Sequence, residues 1–160
     1  MTPAAAARKA NVAKVGDREI SIERTFDAPR DKVWRAMTDP KLVAQWWGRG
    51  NPLDVVTWDF KRGGHWRFVE HSDHGDHGFE GRFAEIDPPK KVQQTFEWDG
   101  LPGHACFETM TLEEIAGGKT QLRVHTIFFT KDERDGMMAS GMETGMNQSY
   151  EALDRVLASL

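Results

Sequence analysis

From residue 54 to residue 129 the chain repeats one pattern: DVVTWDF, GHWRFVE, FEGRFAEI, KVQQTFEW, HACFETMTLEEI and KTQLRVHTIFF, each alternating apolar with polar side chains. A period of two is what a strand with one buried and one wetted face requires. The breakers between the runs are short: Gly63-Gly64, the stretch HSDHGDHG at 71–78, Asp87-Pro88-Pro89, Asp99-Gly100 with Pro102-Gly103, and Gly117-Gly118. Such brief connections join antiparallel neighbours, because a parallel crossover needs a dozen or more residues. An earlier run, REISIERTFD at 18–27, sets Ile20, Ile22 and Phe26 against Glu19, Ser21, Glu23 and Thr25. It predicts a further strand, for about seven in all.

The other periodic segments read as helices. DAPRDKVWRAM places Pro29 at a first helical position with Val33, Trp34 and Met37 on one face. TDPKLVAQWWG repeats the Asp-Pro start before Leu42, Val43 and Trp46, and Gly48 ends it. Near the C-terminus, Thr130 with Glu133 three residues on forms a capping-box signature. Beyond it Met138, Met142, Met146, Ser149 or Tyr150, Leu153, Val156 or Leu157, and Leu160 recur at helical spacing, which predicts one long amphipathic helix. The expected fold class is α+β: a curved antiparallel sheet wrapped around a long C-terminal helix, with two short helices after the first strand. A pocket between sheet and helix is natural in that arrangement.

Length and charge bound the function. A chain of 160 residues and 18.1 kDa fits one domain, read here as residues 17–160 behind a mobile tail at 1–16. The net charge of −4, with no basic run beyond pairs such as Lys61-Arg62 and Lys90-Lys91, argues against a nucleic-acid partner. The lone Cys106 excludes an internal disulfide and, with no Cys-x-x-Cys pair, a structural zinc site; a cytoplasmic setting is expected. No segment approaches the ~20 apolar residues of a membrane span. The opening MTPAAAARKANVAKVG lacks the apolar core of an export signal.

Taken in order, the strand, FDAPRDKVWRAMTDP, QWWG, RGGHWRF, FEGRFAEIDPP and the closing SGMETGMNQSYEALDRVLASL resemble the heat-shock protein 90 ATPase activator-like family. That family belongs to the START and pollen-allergen-like superfamily, and the resemblance spans roughly residues 18 to 160. It implies the helix-grip fold with an internal cavity. Relatives include ligand carriers, polyketide cyclases and co-chaperone domains, so fold membership leaves function open. Co-chaperone action rests on the family name alone, and it is the less expected reading because the domain is read here without the long N-terminal partner domain of such activators.

HSDHGDHG has the look of a metal site, with three histidines and two aspartates. Its flanks are alternating strands, so the segment is expected to be a solvated hairpin turn, with no metal and no cofactor. The expected site is a broad apolar cavity lined by Trp46, Trp47, Trp58, Trp66, Phe68, Phe83, Phe96, Trp98 and Phe107 from the strands and short helix. Met138, Met142, Gly145 and Met146 would complete it from the long helix. Of Trp46 and Trp47, one is expected to pack inward and the other to guard the mouth beside GRGN. Gln94, Thr109 or Thr126 would supply a polar contact. Gly141 and Gly145 each cost ~1 kcal/mol in a helix interior, so both are expected to face the sheet and leave room for a ligand or close backbone approach.

For catalysis, the acid and base candidates are His65, Glu70, Glu80, His104 and His125, with Asp59 and Arg67 as orienters. Their spacing nominates no reaction, His65 and Arg67 fall opposite Trp66 and Phe68, and Cys106 reads as a small buried residue, so no catalytic residue is assigned. The preferred function is a binding module for a hydrophobic or aromatic small molecule. A cyclase- or hydrolase-like enzyme in the same cavity is the alternative, and a homodimer is left open.

Overall fold

The computed structural model describes residues 9–160. The elements run β1 (Asn11–Val15), β2 (Glu19–Phe26), α1 (Arg30–Thr38), α2 (Pro40–Trp46), β3 (Leu53–Trp58), β4 (His65–Ser72) and β5 (Gly75–Asp87). They continue with β6 (Lys91–Trp98), β7 (Cys106–Ile115), β8 (Lys119–Ile127), α3 (Lys131–Ala139) and α4 (Met142–Ser159). All strands join one antiparallel sheet in the order β1-β2-β8-β7-β6-β5-β4-β3. The fold is the expected α+β arrangement of sheet, two short helices and C-terminal helix.

Two elements differ from expectation. Residues 11–15, read as tail, pair with β2 from Asn11↔Glu23 to Val15↔Glu19, and the Ala10 amide donates to Asn147 Oδ1 at 3.0 Å. This eighth strand covers the free edge of β2. It is mostly exposed, so it carries little alternation to read. Residues 1–8 of that tail lie outside the described residues.

The expected single long helix is two. Ser140 closes α3, and Gly141, at φ 82°, adopts a left-handed conformation as the N-cap of α4. Gly141 therefore marks a break between helices rather than a gap on a helix face. The Thr130 capping box is present in both directions, Thr130 Oγ1 accepting from the Glu133 amide and Glu133 from the Thr130 amide.

The side chains of one sheet face make the core, which has two halves. Buried Tyr150, Leu153, Val156 and Leu157 of α4 cover Ile20, Ile22, Phe26, Leu122 and Val124 of β2 and β8. At the other end Val43 of α2 packs with Leu53, Trp66, Phe68, Phe83 and Val92. Trp34, Trp47, Phe96 and Met110 touch both halves and form the seam between them. A register shift between Phe83 and Ile86 bends β5 against β6 beside this seam.

One charge crosses the first half of the core. Arg24 of β2, with a side chain only 1% exposed, makes two bonds of 2.7 and 2.6 Å to Asp154 and lies 4.6 Å over the Phe26 ring. The pair fixes the angle of α4 on the sheet.

Candidate functional site

The seam holds a cavity. Trp34, Met37 and Thr38 of α1 form one wall, and Phe83, Gln94 and Met110 of β5, β6 and β7 form the other. Trp58 and Phe60 close its side, with their rings stacked at 5.6 Å and 8°. Phe83 meets both edge-on, at 5.3 Å from Trp58 and 5.0 Å from Phe60. The unfilled space is ≈ 340 Å³ with the mouth included, but only ≈ 20 Å³ of it is wide enough for the centre of a water molecule. The rings and the methionines Met37 and Met110 thus fill most of the space themselves. Unbranched thioether chains repack at little cost, so Met37 and Met110 are the adaptable part of the lining.

Polar groups enter in a single row. The register aligns Gln94 with Glu108 and Glu108 with Thr126 across β6, β7 and β8, so all three project from the core face. Gln94 Nε2 donates to Glu108 Oε1 at 3.3 Å. The Glu108 residue is partly exposed, yet its carboxyl is enclosed; burial raises its pKa to about 7 against a small opposing effect of the Gln94 bond. The same burial pushes the Cys106 thiol and the Tyr150 hydroxyl well up, with the Glu108 charge adding to each. Both stay protonated at neutral pH, and Cys106 is no nucleophile.

Of the residues expected at a cavity, Trp58 and Phe83 border this one, and so does Gln94, one of the three expected polar contacts. Trp46 is buried and its indole N–H donates to the Ala36 carbonyl at 2.9 Å. Trp47, half-buried, packs 5.0 Å from both Phe68 and Phe79 and is not part of this cavity's lining. Trp66, Phe68 and Phe96 belong to the ring cluster behind the cavity wall. Trp98 is exposed, and Phe107, aligned with exposed Ile127, sits on the outer register of β7. Met138, Met142 and Met146 pack on the first core half. This space lies under α1, while Tyr150, Leu153, Val156 and Leu157 of the C-terminal helix pack against the other half of the sheet. Thr109 lies on the outer register opposite Gln93, whereas Thr126 is buried.

Gly145 is a close-approach position, but the approaching group is Arg49. A Cβ on Gly145 would stand 2.6 Å from Arg49 Cδ. Arg49, itself at φ 58°, makes two bonds of 2.8 and 2.6 Å to Glu70, a residue 1% exposed on the core register of β4. The Arg49 amide donates to Ser149 Oγ, whose hydroxyl donates to the Trp47 carbonyl at 2.9 Å. This clasp joins the 47–50 loop, β4 and α4, and Glu70 raises the Arg49 pKa through its hydrogen bonds.

The remaining acid and base candidates are paired on the outer surface. His65 meets Glu80 at 2.9 Å, Arg67 bonds Glu80 and Asp99, His125 meets Glu19, and His104 contacts Glu133. In HSDHGDHG, Ser72 aligns with Gly75 and the chain reverses over Asp73-His74. His71 holds Asp54 and Asp76, each at 2.8 Å, and both bonds raise its pKa. Among the described residues no three His, Cys, Asp or Glu side chains are placed to hold a metal ion, and no helix is long and apolar enough to cross a membrane.

The signal for Glu108 was in the sequence. HACFETMTLEEI alternates so that Cys106, Glu108, Met110 and Leu112 share a face, which puts a carboxylate in an apolar register.

Known proteins support the architecture. The family model described as activator of Hsp90 ATPase homolog 1-like protein matches residues 27–158. A protein from Rhodobacter sphaeroides of known crystal structure is 28% identical, with a TM-score of 0.86 over 95% of this chain and 100% of that one. A solution structure from Arthrobacter aurescens matches at 24% identity and TM-score 0.83, over 94% of this chain and 92% of the other. DynU16, described as a putative protein in the dynemicin biosynthetic locus, shares the fold at 24% identity and TM-score 0.65 over 90% of this chain and 48% of its own. No curated protein matches the sequence.

Proposed function

The chain belongs to the activator of Hsp90 ATPase homolog 1-like family, and from that premise we propose that it is a binding module for a hydrophobic or aromatic small molecule. The observation that carries the reading is the seam cavity, where two core halves leave a space walled by Trp34, Trp58, Phe60 and Phe83. Four rings around one space supply a large apolar surface, and burial of ligand area against it contributes about 25 cal/mol per Å². The methionines Met37 and Met110 let the walls part for an occupant. A dry cavity of ~150 Å³ accepts a molecule the size of benzene in other proteins, which sets the scale of opening required.

The enzyme reading has one specific support, the Glu108 carboxyl. With a pKa near neutrality it is suited to proton transfer in the way a general acid or base must be. Binding is preferred because the polar row places Gln94 and Thr126 beside Glu108, and the ionisable groups whose pKa its charge raises, Tyr150 and Cys106, both stay protonated.

The test is ligand-induced stabilisation. A library of small aromatic and aliphatic molecules should raise the melting temperature saturably for some aromatic members, and Trp34→Ala should weaken that response at least several-fold while the domain remains folded. No stabilisation by any member would sink the reading.

A further inference from the structure

We propose that Gln94 and Glu108 form the polar end of the seam cavity and select planar aromatic ligands that carry a phenolic hydroxyl. The inference rests on the binding reading above and adds to it the class of ligand.

Three observations converge. The first is shape: the Trp58 and Phe60 rings are parallel to within 8°, and Trp58 is also parallel to Phe68 to within 14° at 5.9 Å. Stacked flat rings at the side of a cavity favour a flat occupant lying along them. The second is the placement of polarity. Six of the ten lining residues are hydrocarbon or thioether, Trp34 and Trp58 add only an indole N–H donor each, and the Thr38 hydroxyl is already bonded, Oγ1 donating to the Trp34 carbonyl at 2.7 Å. Gln94 is therefore the lining side chain that offers an occupant an amide acceptor and donor together, and its amide is bonded to Glu108. An occupant that reaches Gln94 can use the amide oxygen as acceptor and the second amide hydrogen as donor.

The third observation is what stands behind Gln94. Glu108 is held with a pKa of about 7, by burial and by no cation, so both forms of its carboxyl are present near neutral pH. The ionisable groups that face it are Tyr150 of α4 and Cys106 of its own strand, and both stay protonated. The Gln94–Glu108 pair therefore presents donors and acceptors together. A phenolic hydroxyl matches it, because a single O–H both donates and accepts and brings a flat ring with it. A methyl group of the same size would leave the amide oxygen and second amide hydrogen of Gln94 without a partner, and binding would lose the cost of desolvating them.

Calorimetric titration with p-cresol and p-xylene tests this, since the two differ only in hydroxyl against methyl. The expected result is that the wild-type protein binds p-cresol at least roughly tenfold more tightly than p-xylene, the discrimination one or two enclosed hydrogen bonds supply. Gln94→Met and Glu108→Met should bring that ratio close to one by weakening p-cresol while leaving p-xylene within about twofold. Equal binding of the two probes by the wild-type protein would overturn the proposal and leave the cavity reading standing, and this comparison needs no variant to fold. Preservation of the ratio in both folded variants would also overturn it. If neither probe bound, the cavity reading itself would fall, and the choice of phenol with it.

Discussion

Glu108 stands at a register position that Cys106, Met110 and Leu112 make apolar, and the placement has a consequence that can be measured without a ligand. Its carboxyl takes up a proton at about 7 when folded, against 4.5 for an ordinary glutamate. The folded protein therefore binds more protons than the unfolded chain between those values. Its contribution to stability is fully present below pH 4.5, is lost as the pH rises to about 7, and is level above that. Glu108→Gln keeps the shape and the bond to Gln94 but removes the charge. We expect the variant to match the wild type near pH 4 and to exceed it at pH 8 by on the order of 3 kcal/mol, from the size of the shift. Urea unfolding at a series of pH values measures the difference, and a difference that stays flat from pH 4 to 8 would show that the carboxyl is not enclosed.

At the scale of elements, the two glycines at 141 and 145 have opposite reasons for being glycine. Gly141 starts α4 at φ 82°, a conformation that costs an L-residue with a side chain roughly 1–2 kcal/mol. Gly141→Ala should therefore destabilise the protein by about 1 kcal/mol, where a glycine merely tolerated in a helix would give a gain of similar size. Gly145 is helical, so alanine would suit its backbone. The added Cβ, however, would meet Arg49 Cδ at 2.6 Å and push the guanidinium from buried Glu70. Gly145→Ala should also destabilise, and a second substitution, Arg49→Ala, should remove most of the steric part of that loss. Thermal unfolding of the single and double variants decides both points; stabilisation by either glycine replacement would contradict the packing described.

The spacing of methionines and leucines led to one long helix because periodicity continues across 139–142, and only backbone conformation reveals the break. Thr130 and Glu133 were legible because a capping box is written in four consecutive residues. Strand β1 was not, since an exposed edge strand needs no apolar alternation and Val12 alone packs inward.

For the whole molecule, the sheet-and-helix architecture was legible because six alternating runs and their short breakers leave few other arrangements. The position of the cavity was not. Aromatic residues on core faces are equally consistent with lining a space and with filling the wall behind it, and which of the two holds depends on distances between elements. Trp66, Phe68 and Phe96, expected to line the space, fill the wall, and Trp34, read only as one face of a short helix, lines it. The C-terminal helix was the expected partner of the sheet across the cavity, yet the helix that borders this space is α1, through Trp34, Met37 and Thr38. The methionines still distinguish the two locations: all five pack on the α4 half, but Met37 and Met110 also border the cavity while Met138, Met142 and Met146 do not line it.

The most direct test of the central claim is therefore a titration of protein labelled at its methionine methyl groups with p-cresol, followed by nuclear magnetic resonance. A ligand in the seam cavity should move the Met37 and Met110 signals saturably and leave those of Met138, Met142 and Met146 in place; shifts confined to the latter three, or none at all, would contradict a binding site between α1 and the sheet.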